Sequence, residues 1–148
     1  MDFSQAFKIA NTVALVSWIL LAVMPRYEWL LKWLRYGIIS GFAVVYTVVV
    51  ALYFFKIEGG GFNTLQEVKN LMAADAGAFA GWVHYLAFDL FVGLWVAENA
   101  DRLGIHRILQ IPILFATFMF GPLGLLTFYC VDTIVRRFGR KKPIEPAI

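Results

Sequence analysis

The sequence predicts an all-α integral membrane protein, a four-helix bundle with a short interfacial helix between its second and third spans. Three observations carry that expectation. Hydrophobic residues fill 61% of the 148 positions and charged ones only 16%, against about a quarter charged in soluble domains. Four apolar runs approach the ~20 residues needed to cross a hydrocarbon core about 30 Å thick. Lipid offers no partner for backbone N–H and C=O groups, and runs this long exceed barrel strands, so they must be helices.

The first span covers 9–24 and closes at Pro25, which cannot extend a helix without losing a hydrogen bond. The N-terminus lacks the basic leader of a signal peptide and the apolar stretch meets no small-residue cleavage pattern before Pro25, so it is kept as a mature helix. Tyr27, Trp29, Trp33 and Tyr36, interleaved with Arg26, Lys32 and Arg35, suit an interfacial segment where rings and basic groups anchor. The second span covers 38–55, between Arg35 and Lys56. After Gly59-Gly60-Gly61, Thr64 can cap a short helix and Glu67 can reach back in a capping box. Leu65, Val68, Leu71 and Met72 share one face of it, so it is read as lying on the membrane over the bundle mouth. The third span covers 76–97 and alone holds an acid at depth. The fourth covers 108–131, free of formal charge but interrupted by Gly121-Pro122. The whole, 1–148, is one transmembrane domain with a basic tail over 136–148.

Formal charge is +3, yet five of the thirteen basic residues crowd into that tail, so no nucleic-acid partner is expected. Four spans place both termini on one side. Eight basic residues then share the terminal side and five the other, which favours cytoplasmic termini. Cys130 is the lone cysteine, so no disulfide can form within the chain.

Asp89 is the most informative residue. An ionised carboxylate at mid-helix costs about 2.5–3.5 kcal/mol on insertion scales, so a basic partner, a cation, hydroxyl donors or its own protonation must offset it. His84 stands about 140° away on the helix and shares no face with it, whereas Trp82, Tyr85, Asp89 and Gly93 form one face. His84 heads another line with Phe88, Phe91, Trp95 and Glu98. The plain alternatives are an acid pairing two helices and a histidine bonded to a neighbouring helix. Glu98, Asp101, Arg102, His106 and Arg107 form a membrane-edge cluster, with Glu98 and Arg102 a helix pair at i, i+4. No metal and no cofactor are expected: there is no close His pair for zinc, and helix length alone sets His84 and His106 too far apart for a shared haem. The Gly121-Pro122 break frees the Phe118 carbonyl, which must find a partner or face a cavity. Tyr46, Thr47 and Thr117 are available to meet the polar faces of the third span.

The run Gly81-Trp82-Val83-His84-Tyr85-Leu86-Ala87-Phe88-Asp89-Leu90-Phe91-Val92-Gly93, then Pro112 and Phe118 through Leu126, with Trp18, Leu21 and Pro25 in the first span, resembles a known family. It is that of the small four-helix membrane proteins related to plant neoxanthin synthase, the abscisic-acid-deficiency protein of chloroplasts. The resemblance implies a carotenoid- or isoprenoid-modifying protein, since plant members act in converting violaxanthin to neoxanthin. The chain departs from the plant form at Leu94, where relatives carry a basic residue, and in having no transit extension, so a bacterial inner membrane is the expected home.

Opening an epoxide with allene formation needs an acid for the oxygen and a base for a carbon-bound proton. Asp89 and His84 are the candidate catalytic pair, with Trp82, Tyr85, Phe88, Phe91, Trp95, Thr117 and Pro122 as substrate contacts. The expected partners are membrane lipid and an apolar isoprenoid or carotenoid ligand, with a homo-oligomer left open. A bundle that binds a lipid, ion or protein without catalysis, and an ion pathway, are the competing readings.

Overall fold

The computed structural model describes residues 2–138, which form six helices and no strand. These are α1 (Phe3–Val23), α2 (Glu28–Lys56), α3 (Leu65–Ala73), α4 (Asp75–Arg102), α5 (Arg107–Phe120) and α6 (Pro122–Phe138). Three of them, α1, α2 and α4, are long and apolar enough to cross a membrane. The chain is therefore an all-α membrane protein, and the basic tail beyond Phe138 lies outside the described residues.

Helix α4 is the central post. Phe3 of α1 meets Phe79 of α4 with ring centroids 5.7 Å apart and Tyr53 of α2 at 5.4 Å, while Trp18 packs where Gly93 leaves room. So α1 runs parallel to α4, and α2 runs against both. One core cluster, around Phe42, Val49, Phe79, Val83 and Leu86, fills the half near Asp75. A second, around Trp18, Leu30, Leu34, Leu90, Leu94, Leu114 and Phe128, fills the half near Arg102.

The fourth span is the main correction. Gly121 has φ +39° and ψ −87°, a conformation that L side chains rarely adopt, and Pro122 starts a new helix where its missing N–H costs nothing. The chain reverses there. A Cβ on Gly124 would overlap the backbone of Thr117, and Phe128 of α6 returns to the ring of Trp95 at 5.5 Å. The run over 108–131 is thus not one crossing but a helical hairpin. Fourteen residues of α5 climb about 21 Å along α4 and α6 comes back down. The described residues end at the Arg102 end of α4, opposite Phe3, and they hold three long apolar helices where the expectation of both termini on one side rests on four spans. A hydropathy ruler measures apolar length and is blind to such a reversal.

The segment around Tyr27 to Tyr36 is likewise not a separate interfacial piece. It is the start of α2, with Leu30 and Leu34 fully buried and the four rings exposed. Arg26 turns inward, its side chain 3% exposed: it pairs with Asp101 at 2.7 Å and donates to Gln110 Oε1 at 2.6 Å and to the Ala97 carbonyl at 3.0 Å. The buried Gln110 completes the set by donating to Asp101 at 2.9 Å and to the Ile105 carbonyl at 2.7 Å. Arg35 takes Glu98 at 2.6 Å, so Glu98 pairs across helices rather than with Arg102. These bonds tie the α1–α2 turn to the foot of the hairpin.

At the other end, Thr64 Oγ1 caps α3 by accepting the Glu67 N–H at 3.2 Å. Glu67 reaches back to the Asn63 N–H at 3.0 Å, one residue earlier than the box pattern places it. Leu71 is buried, whereas Leu65 and Met72 are exposed.

Candidate functional site

The hairpin tip meets α4 near the middle of that helix. Asp89 lies fourteen residues into α4, about 21 Å from its start, and is 9% exposed. A Cβ on Gly121 would overlap its carboxyl group, so only glycine lets the tip seat there. Its Oδ2 is buried with no hydrogen-bond partner among the described residues. The carboxyl also stands beside the first turn of α6, whose free N–H groups carry the positive end of the helix dipole.

Tyr85, one turn before Asp89, is the polar neighbour of the carboxyl. Its hydroxyl is 3.2 Å from the Phe118 carbonyl and 3.1 Å from that of Met119, which answers the orphaned end of α5. Trp82 Nε1 donates to Asn11 Oδ1 at 2.7 Å. Between these groups a cleft of about 290 Å³ opens between α1 and the hairpin tip, lined by Asn11, Leu15, Trp82, Tyr85, Phe118 and Met119 among others. Asn11 was not singled out from sequence. Its one signal was an amide inside an apolar run.

The other candidates lie elsewhere. His84 opens into a larger groove of about 540 Å³ between α2, α3 and α4, with its ring on Phe88 at 4.5 Å and beside Tyr46 at 5.4 Å. Phe88 and Phe91 point outward, 59% and 49% exposed, and Trp95 packs edge-on against Phe128 and Tyr129. Thr117 is buried with its hydroxyl on the Ile113 carbonyl at 2.8 Å. Pro122 sits exposed at the hairpin tip, and Thr47 faces away from the bundle, bonded to the Ala43 carbonyl. The structure thus gathers Trp82, Tyr85, Asp89, Thr117 and Pro122 around the hairpin and sets His84 on another face. No three of His, Cys, Asp and Glu gather among the described residues as a metal would need.

Residues 5–128, most of the chain, match a family model described as ABA DEFICIENT 4-like. No curated protein and no solved structure matches the chain.

Proposed function

Because this chain belongs to the ABA DEFICIENT 4-like family, we propose that it is a carotenoid-related membrane protein whose isomerase-like chemistry on an oxygenated isoprenoid centres on Asp89. The observation that carries this reading is Asp89 itself, nine-tenths buried midway along α4 with a carboxyl oxygen that no described residue satisfies. Intramembrane acids are costly, and an unsatisfied one calls for a role. The cleft beside Tyr85 would admit the end of an apolar substrate from the lipid, with Trp82 and Phe118 as walls.

For an epoxide the chemistry balances within the substrate. A proton reaches the oxygen as a C–O bond breaks, and a carbon-bound proton leaves as its electron pair becomes the new double bond. Nothing is consumed. Asp89 and Tyr85 are the pair to which this reading assigns the two transfers, and His84 takes no part in it.

Asp89→Asn keeps the shape and removes the proton exchange. In membranes supplied with violaxanthin, product measured by pigment chromatography should fall about 10²-fold or more, with the melting temperature in detergent close to the parent's. The contact between Asp89 and Gly121 favours a second reading, in which the acid only seats the hairpin. A large drop in melting temperature with no change in product would select that reading instead.

A further inference from the structure

We propose that the groove beneath α3 is a second ligand site, taking a neutral and largely apolar molecule that carries a hydroxyl, carbonyl or ether oxygen within its body. It goes beyond the reading at Asp89, because it uses another face of α4 and needs no group of the hairpin.

The groove's volume, about 540 Å³, falls in the range of small-molecule sites. Val49, Val50, Phe54 and Ala80 are among its walls, and Leu71 and Met72 of α3 border it at the water side. That border is apolar, with Lys56 beside it, its Nζ 5.5 Å from the centre of the Tyr53 ring. His84 marks the deep end. It stands nine residues below Asp75 and five above Asp89, about 13.5 Å and 7.5 Å along the helix, which is within one leaflet's hydrocarbon. The residue is exposed, its ring lies on Phe88 and beside Tyr46, and among the described residues no hydrogen bond reaches either ring nitrogen. A polar ring at this depth needs a partner. Tyr46, Tyr53 and His84 are the polar residues of the lining, so the complement of the groove is apolar surface plus oxygen able to pair with them, the deepest at the level of His84. A phospholipid presents the reverse, with oxygens at the surface and bare chain below.

The test uses the full chain in mild detergent, titrated with retinol, an apolar polyene bearing one hydroxyl, and read by energy transfer from tryptophan. Saturable binding is expected, and farnesol should displace retinol at least tenfold better than farnesene, which lacks the hydroxyl. His84→Phe keeps a flat ring without nitrogens and should weaken retinol binding roughly tenfold, the loss of about one hydrogen bond. Gly81→Leu should abolish saturable binding by filling the groove, because a side chain there first meets only the flexible end of Met72, at 3.2 Å. Melting temperatures of both variants check that the fold survives. Asp89→Asn should leave binding unchanged, which separates this site from the one above. The proposal is overturned if retinol does not bind saturably, if binding survives Gly81→Leu, or if it is lost in Asp89→Asn. Equal displacement by farnesol and farnesene with His84→Phe unaltered would also overturn it, and would make the groove a seat for lipid tails.

Discussion

Gly121→Ala should lower unfolding stability by about 3 kcal/mol or more, measured in mild detergent. Two separate effects add. The backbone at φ +39° suits glycine, and forcing an L side chain there costs about 1–3 kcal/mol. The new methyl group would also overlap the Asp89 carboxyl, and overpacking of this kind costs about 1–3 kcal/mol. Adding Asp89→Ala should return the second part and leave the first, so the double variant is expected to recover only partly. A Gly121→Ala protein that melts like its parent would show that the tip does not turn against α4.

Arg26→Ala is the other large effect, expected at about 2–4 kcal/mol of destabilisation in the same assay. The substitution strips Gln110 and Asp101 of a donor in a buried setting, and the Ala97 carbonyl loses its side-chain bond. Asp101 is about one-third exposed, so water softens the loss on its side. The Lys32–Glu28 pair, exposed on both partners, is the control. Lys32→Ala should change stability by well under about 1 kcal/mol, and equal effects from the two substitutions would refute the buried network.

What could be read from the sequence followed from local rules. Apolar length located α1, α2 and α4, and the cap at Thr64 marked α3 to within a residue. The angular spacing of α4 separated Asp89 from His84, and the structure keeps them on different faces. The free Phe118 carbonyl was anticipated from Pro122, and Tyr85 supplies its partner. Long-range facts were not legible. Nothing local tells that Arg26, flanked by aromatic residues typical of an interface, reaches Gln110 at a separation of 84 residues. Nor does hydropathy distinguish a helix that continues past Gly121 from one that doubles back. The orphaned state of Asp89 is also a tertiary fact, because only packing decides which donors come near.

A hairpin that enters and leaves by the same face adds no crossing, so the three long helices give the described residues an odd count. Reporters fused before Phe3 and after Phe138 should then register in different compartments, and an even count would bring them into the same one. The ten lysines and arginines among the described residues divide unevenly under this arrangement: Lys8, Lys56 and Lys69 on one face, seven on the other. Cationic flanks tend to stay where the chain is made, so the carboxyl-terminal reporter is the one expected on the synthesising side, with the amino terminus and α3 exported.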